Sequence, residues 1–429
     1  MRILLVSDYY PPFIGGAHRQ TQLLGQELRQ RGHEVSVATV WYGGAAEEDD
    51  DAGVRVYRVK QLRTMLPWLV QDKRQRHSTP FPDPVTAAAL RRVIERVRPD
   101  VIHAYGWLTY SLAVALAGKD IPLLISSRDY AYSCPNRTMV AWDRPCSGPE
   151  LAKCLSCAAH HFGAVKGWVT TFSIYGGRAV LLPKVYGIHS ISAFVQHIVE
   201  RDFLRSEAAP TRPNGRRIVR EVIPSFREDD EDESQLADAR LEPYLQQLPN
   251  EPYILFVGAL RVVKGVQQLL AAYQCLAGPP PLVLIGTVES DTPATFPPGT
   301  VVLQNFPHAA VMAAWKRCLF GVFPSLLPEP LGSVVYEGMS QGKAVIGTTP
   351  GGHADMIISG KTGFLVPPGA VDPLVGAMQT LIDSADLRER FGQAGRERAK
   401  LFTAARAVPS FERLYRLLVD LSGQRTHTP

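Results

Sequence analysis

Two apolar patterns alternate along the chain. One is a short unbroken run, as in Ile3-Leu4-Leu5-Val6, Leu123-Leu124-Ile125, Ile254-Leu255-Phe256-Val257, Leu282-Val283-Leu284-Ile285 and Ala344-Val345-Ile346. Such runs predict strands buried on both faces. In the other pattern apolar residues recur one helical turn apart. Leu24 and Leu28 do so within Ala17 to Arg31, and Val266, Leu269, Leu270 and Tyr273 do so after Lys264-Gly265; these predict amphipathic helices. Tyr9-Tyr10-Pro11-Pro12 stops the first strand, Gly32 follows the first helix where a left-handed cap needs no Cβ, and Pro99-Asp100 and Pro122 introduce further strands.

Strands that alternate with helices need crossover connections, and these make parallel sheets. The grammar runs twice, which predicts an α/β chain of two Rossmann-like doubly wound domains, 1–225 and 226–404, with a helix at about 405–429 packing back on the first. Pro210, Pro213, Asn214, Gly215 and the acidic run Glu228 to Glu233 mark the boundary. That run and Glu47 to Asp51 read as solvated loops without chemistry. Ligands of such sheets bind beyond the carboxyl ends of the strands, so a central cleft between the domains is the expected site.

Composition narrows the class. The 429 residues are 45% hydrophobic and 20% charged, enough for large cores and unlike a disordered chain. No apolar run approaches the ~18 residues that span a bilayer. Asp8 interrupts the first apolar run where a secretion signal would continue, so a cytoplasmic protein is expected. The net charge of +5 is uneven: residues 1–225 carry 29 Lys and Arg against 20 Asp and Glu, and the remainder carry 17 against 21. A basic first half suits an anionic partner. Nucleic acid is disfavoured because no recognised module accompanies the charge.

The densest chemistry lies in Pro324-Ser325-Leu326-Leu327-Pro328-Glu329-Pro330-Leu331-Gly332-Ser333-Val334-Val335-Tyr336-Glu337-Gly338-Met339. A strand ends at Phe323, a proline-rich turn carries Glu329, and a helix begins near Ser333, read as its N-cap. The first free amides of this helix, at Gly332, Ser333 and Val334, can receive a phosphate. Glu337 can address the two vicinal hydroxyls of a ribose, and Glu329 another part of the same ligand. Two glutamates eight positions apart would mean little alone; the turn, Gly332 and the helix start give them a context. Gly15-Gly16 at a strand-to-helix turn and Gly258 at another allow close backbone approach by an anion. Lys264 and Arg261 can neutralise a diphosphate leaving group. Each of these is also compatible with an ordinary turn or a solvated helix start.

Taken in order, these pieces resemble a retaining glycosyltransferase of family 4, also called group 1, with the GT-B fold. The resemblance rests on Pro12, Gly15-Gly16, Leu28 and Arg31-Gly32-His33-Glu34-Val35, then Asp100-Val101-Ile102-His103, then Phe256-Val257-Gly258 with Lys264-Gly265. It continues with Pro324-Ser325, Glu329-Pro330-Leu331-Gly332, Glu337-Gly338-Met339, Gly342, Gly351-Gly352 and Thr362-Gly363. It spans Leu4 to about Leu374.

The resemblance implies a nucleotide-diphosphate sugar donor and a glycan or lipid-linked acceptor in cell-surface polysaccharide or glycoconjugate synthesis. It implies Gly15-Gly16 at the diphosphate near the transferred sugar, Glu337 at the ribose, Glu329 at the donor sugar, Gly332 to Val334 at sugar or phosphate oxygens, and Lys264 at the diphosphate. No cofactor is implied for catalysis, and retention would proceed by front-face displacement.

This sequence departs from the family twice. Ala259 stands where members often carry a diphosphate-binding Arg, leaving Arg261 as the candidate substitute. Arg128, followed by Asp129-Tyr130, stands where many carry a His near the donor sugar.

An insertion at about 128–165 holds Cys134, Cys146, Cys154 and Cys157, followed by His160 and His161. Four close thiolates suit a structural zinc, with an iron–sulfur cluster or inert thiols as rivals. Cys275 and Cys318 read as core residues on helices. Leu62 to His77 and Lys166 to Lys184 mix basic with large apolar side chains; with the basic first half and the acceptors of the family they predict peripheral association with an anionic membrane face. The rival functions are a nucleotide-sugar epimerase or phosphorylase of the same fold, and a non-catalytic nucleotide-sugar-binding protein.

Overall fold

The computed structural model describes residues 1–11, 16–65, 78–142, 144–205, 215, 217–227 and 239–423. They form two compact units. The first comprises Met1–Arg137, Gly148–Phe226 and the segment from Ala404 onward; the second comprises Thr138–Ser147 and Arg227–Thr403. The chain thus passes between units after Phe226 and again after Thr403, and the middle of the expected insertion groups with the second unit. Gly15, the acidic run from Glu228 and most of the basic segment from Leu62 to His77 lie outside the described residues.

In the first unit the order is β1 (Arg2–Ser7), α1 (Gly16–Gln30), β2 (Glu34–Val40), β3 (Glu48–Asp51), β4 (Val54–Val59), α2 (Leu62–Met65), α3 (Pro84–Val97), β5 (Val101–Tyr105), α4 (Leu108–Ala115) and β6 (Leu123–Ser127). A hairpin of β7 (Val140–Ala141) and β8 (Arg144–Pro145), which groups with the second unit, intervenes. There follow α5 (Leu151–Phe162), α6 (Ala164–Leu181), β9 (Val185–Ser190), α7 (Ala193–Ile198) and β10 (Val219–Val222). Eight strands form one sheet in the order β10-β9-β6-β5-β1-β2-β4-β3, parallel throughout except for β3 against β4. β1 lies at its middle, with Ile3 opposite Val35 on one side and Val101 on the other, which is why its apolar residues form a continuous run.

The acidic run at Glu47–Asp51, expected as a solvated loop, instead supplies the edge strand β3. Its partner explains this: β4 sets Arg55 opposite Asp50, Arg58 reaches Asp49 at 3.1 Å, and Asp51 accepts from Tyr10 Oη at 2.6 Å. A strand of carboxylates also discourages further pairing at the open edge.

The second unit runs through α8 (Glu242–Leu245), β11 (Ile254–Val257), α9 (Val266–Gln274), β12 (Leu282–Ile285), β13 (Thr300–Leu303), α10 (His308–Arg317), β14 (Phe320–Val322) and α11 (Ser333–Ser340). It continues with β15 (Ala344–Thr348), α12 (His353–Met356), β16 (Gly363–Val366), α13 (Val371–Asp383) and α14 (Ala385–Ala399). Its six strands, β13-β12-β11-β14-β15-β16, are all parallel. One core joins Ile254, Phe256, Leu284, Phe320 and Ile346 to Leu269 and Tyr273 of α9 and Leu374, Met378 and Leu381 of α13. Cys318 is buried beside this sheet, whereas Cys275, expected in the core, caps α9 and is exposed.

The last helix, α15 (Ala404–Ser422), belongs to the first unit, where Phe411, Tyr415 and Leu418 share a core with Leu24, Leu28, Leu124 and Tyr186. It also closes a buried polar chain. Tyr415 Oη lies 2.7 Å from His103 Nδ1, His103 Nε2 lies 2.5 Å from Ser126 Oγ, Ser126 Oγ lies 2.6 Å from His189 Nδ1, and His189 Nε2 lies 2.7 Å from the Ile223 carbonyl. The carbonyl can only accept, so His189 Nε2 donates. A neutral His189 then accepts at Nδ1 from the Ser126 hydroxyl, which accepts from His103 Nε2, and His103 Nδ1 accepts from Tyr415. Burial holds both imidazoles neutral, with the Arg128 charge adding to the effect; His189 is lowered to about 3 and His103 well below its usual value, the neighbouring His189 contributing there too.

Candidate active site

In the second unit the strand ends carry the residues with chemistry. β14 ends at Val322, and the turn that follows presents Ser325 and Glu329. Lys264 arrives from the turn after β11. Gly265, at φ 74°, lets the chain reverse into α9, and a Cβ there would collide with the Pro324 carbonyl. This close approach places Lys264 Nζ 2.7 Å from Glu329 Oε1. Ser325 Oγ donates to the same oxygen at 2.6 Å, and the Glu329 carbonyl accepts from the Gly352 amide at 2.6 Å. The glutamate is 7% exposed. Burial pushes its carboxyl up, but the Lys264 charge, the His353 charge once that ring is protonated in acid, and the bonds from Lys264 and Ser325 outweigh it and hold the group below the usual carboxylate range.

His353, which sequence reasoning did not single out, completes this set. It opens α12 directly after Gly351-Gly352. Burial lowers it to about 4, with Glu329 pulling upward and Lys264 downward. Its Nδ1 accepts from the Thr348 amide at 3.1 Å, so the neutral ring carries its proton on Nε2. That nitrogen lies 2.7 Å from where a Cβ on Gly332 would stand. The glycine at φ 86° therefore leaves room for the imidazole beside the start of α11. The only sequence signal for His353 is its place immediately after a glycine pair at a strand end.

Ser333 was expected as the N-cap of this helix. The cap is Gly332 instead, with no side-chain bond to the helix, and Ser333 is the first helical residue. Without a capping oxygen, the amides of Ser333 and Val334 receive no side-chain bond at the cap, and they carry the positive end of the helix dipole. Glu337 sits one turn in, 3.5 Å from His308 Nε2 at the start of α10. Arg261 pairs with Asp291: its Nε lies 3.2 and 3.3 Å from the two carboxylate oxygens. Gly258 ends β11, where its carbonyl approaches Gly286 too closely for a Cβ at that position.

In the first unit Gly16 is the first residue of α1. Arg128 follows β6, half-buried, with its guanidinium 4.4 Å from the centre of the Tyr105 ring at the end of β5. Beside it Arg137 pairs with Asp129 and covers Trp107 at 5.3 Å. Asp8, at the end of β1, was read only as a break in an apolar run. It is buried and caps α4, accepting from the amides of Trp107 at 3.0 Å and Leu108 at 2.8 Å. Burial raises its carboxyl, opposed by Arg137 and by those amides.

The four clustered cysteines fall in both units. Cys134, Cys154 and Cys157 belong to the first unit and Cys146 to the second. Cys154 is buried against Tyr175, whose hydroxyl lies 3.7 Å from its sulfur, and Asn136 reaches Cys157 at 3.2 Å. Among the described residues no three His, Cys, Asp or Glu side chains gather as a metal-ligand set.

Comparison with known proteins covers both units. A family model for group 1 glycosyl transferases matches residues 245–398, and a model for a glycosyl transferase 4-like domain matches residues 15–215. The glycogen synthase of Mycobacterium tuberculosis is 24% identical over 431 residues, spanning 93% of this chain and 90% of its own. The alpha-maltose-1-phosphate synthase of Mycolicibacterium smegmatis is 31% identical over 169 residues, 35% of this chain and 43% of its own. Among solved structures, sucrose-phosphate synthase from Thermosynechococcus elongatus matches with a TM-score of 0.70 at 18% identity, covering 98% of this chain and 100% of that one. HepE from Anabaena in complex with UDP-glucose matches at 0.63 and 16% identity, covering 98% and 99%.

Proposed function

From the premise that the chain is a group 1 glycosyltransferase of the GT-B fold, we propose that it moves a hexosyl residue from a nucleotide-diphosphate sugar to a glycan or lipid-linked acceptor, with retention at the anomeric carbon. The pathway would be assembly of a cell-surface polysaccharide or glycoconjugate. The observation that carries this reading is the Lys264–Glu329 pair, flanked by Ser325, His353 and the side-chain-free cap of α11.

Each group has a role in that reaction. Lys264 offers an ammonium to the diphosphate, while Glu329 fixes its position through one of its three donors and keeps a second carboxylate oxygen for the sugar. The amides of Ser333 and Val334, aided by the helix dipole, meet phosphate or sugar oxygens. His353, neutral at physiological pH, donates from Nε2. Glu337 accepts from the ribose hydroxyls, with His308 orienting its carboxylate.

The glycosidic bond to the diphosphate oxygen breaks as the acceptor oxygen bonds the same face of the sugar. The departing phosphate oxygen takes the acceptor's proton, so no protein base is required. Arg261 has Asp291 as its partner, which leaves Lys264 as the principal cation at the leaving group in the second unit.

UDP-glucose is the first donor to try, because HepE was solved with it. A thermal-shift panel of UDP-, GDP- and ADP-sugars tests the reading, since a ligand that binds only the folded chain raises its melting temperature by mass action. One nucleotide series should stabilise wild-type protein and fail to stabilise Glu337→Ala. No response to any nucleotide sugar would refute donor binding.

A further inference from the structure

Helix α6 is amphipathic in the wrong sense for a soluble protein. Its buried positions include Gly167, Thr170, Thr171, Ile174 and Gly177, mostly small or polar. Its exposed positions include Val165 at 78%, Trp168 at 51%, Val169 at 48%, Phe172 at 56% and Val180 at 40% exposure. These residues are spaced by one turn and lie along one side of the helix.

The small residues are explained by packing. A Cβ on Gly167 would collide with the Ala158 backbone of α5, and one on Gly177 would strike the Tyr110 ring of α4. Nothing in the packing explains the large residues outside. Scattered apolar residues on a surface need no explanation, but five along one helix side do.

The surroundings indicate what covers them. From Leu151 to Val199 the sequence contains no Asp or Glu, while it carries Lys153, Lys166, Arg178 and Lys184. His160, His161 and Lys166 are exposed at the turn between α5 and α6, beside Val165 and Trp168. A protein partner or a second copy of a chain with mixed surface charge would not require 49 residues free of carboxylates. An anionic lipid surface would, because every carboxylate near it is repelled. An exposed Trp suits the headgroup boundary. Among the described residues no helix is long and apolar enough to cross a membrane, so the helix would lie in the interface rather than span it.

We propose that the outer side of α6 is a membrane-docking surface, with Val165, Trp168, Val169 and Phe172 entering the acyl boundary of an anionic bilayer and Lys166 and the two histidines meeting its headgroups. The proposal serves the sugar-transfer reading by bringing a lipid-linked acceptor to hand, but binding to vesicles needs neither donor nor turnover, so each can fail alone.

The test is flotation of the full chain, without donor, on vesicles of phosphatidylcholine alone and of phosphatidylcholine with phosphatidylglycerol. Wild type should float only with the anionic vesicles. Trp168→Ser/Phe172→Ser, with an unchanged melting temperature, should lose binding by ~10-fold or more, while hydrolysis of the donor in solution stays as in wild type. Brominated lipid should quench wild-type fluorescence, and Trp168→Phe should remove most of that quenching while still floating. Equal flotation on neutral vesicles, undiminished binding of the double variant, or no flotation at all would overturn the proposal. So would a wild type that self-associates, stays off vesicles and becomes monomeric in the double variant, since the surface would then serve a second copy.

Discussion

His103, Ser126, His189 and Tyr415 in the first unit and Lys264, Ser325, Glu329 and His353 in the second are both sets of polar side chains beside a parallel sheet, mostly buried. They differ in how their hydrogen bonds end. The first set is a chain of neutral groups, joined by Tyr105 Oη 3.3 Å from His103 Nδ1, and it terminates on a backbone carbonyl at Ile223. Its members have their protons assigned and their partners filled. The second set holds a carboxylate against an ammonium whose side chain is 32% exposed, and it adjoins a helix start with no capping side chain. Its spare donors and the second carboxylate oxygen remain for something else. Buried polar groups that are fully satisfied stabilise a fold and specify it; groups held charged with capacity to spare are what a ligand uses. The comparison teaches that burial and perturbed titration alone do not mark a site.

Substitutions can break or sharpen that contrast. The largest effect is expected at Glu329. Glu329→Ala frees Lys264 and removes the proposed sugar contact, and turnover should fall by about 10²–10³, read as kcat with a saturating donor. Next comes Ser126→Ala, which deprives both His103 and His189 of a partner. It should cost about 2–3 kcal/mol of stability, measured by denaturant unfolding, with turnover per folded molecule unchanged. Tyr415→Phe removes only the terminal donor and should cost about 1 kcal/mol. If Ser126→Ala abolished turnover without destabilising the chain, the first set would be catalytic and the contrast would fail.

The smallest effect near neutrality is a difference in acid sensitivity. The folded chain holds His189 at about 3, below its ordinary 6.5. A depressed histidine favours the neutral form in the native state. Its contribution is therefore complete above pH 6.5 and is lost as the pH falls from there toward 3. Glu329, lowered from 4.5, contributes above its ordinary value and loses that contribution only as the pH falls below it. Melting temperature should thus begin to decline below pH 6.5 in wild type, and less steeply in His189→Gln. Identical slopes would show that the imidazole is not the group that senses acid.

The sequence foreshadows a good part of this arrangement. The continuous apolar runs at Ile3–Val6 and Ile254–Val257 mark central strands because both faces of a parallel sheet are covered. The proline-rich turn with Glu329 is legible because so many residues of restricted conformation precede a helix. What stayed hidden depends on partners far away along the chain. His103 and Tyr415 are 312 positions apart, and no local pattern announces their bond. Arg261 could not be known to face Asp291, nor the acidic strand β3 to face Arg55 and Arg58, until the sheet order was in hand. Ser333 looked like a cap by composition, whereas the left-handed Gly332 takes that place. His353 carries no periodic signal, and its importance rests on the turn that brings Gly351-Gly352 against Glu329.

The most direct test of the central claim is nucleoside diphosphate release from the donor that stabilises the chain, measured for wild type, Glu329→Ala and Ser126→Ala at equal concentrations of folded protein. Release that collapses in Glu329→Ala and persists in Ser126→Ala is the predicted result. Release that persists in Glu329→Ala would contradict the assignment of the Lys264–Glu329 pair as the centre of the reaction.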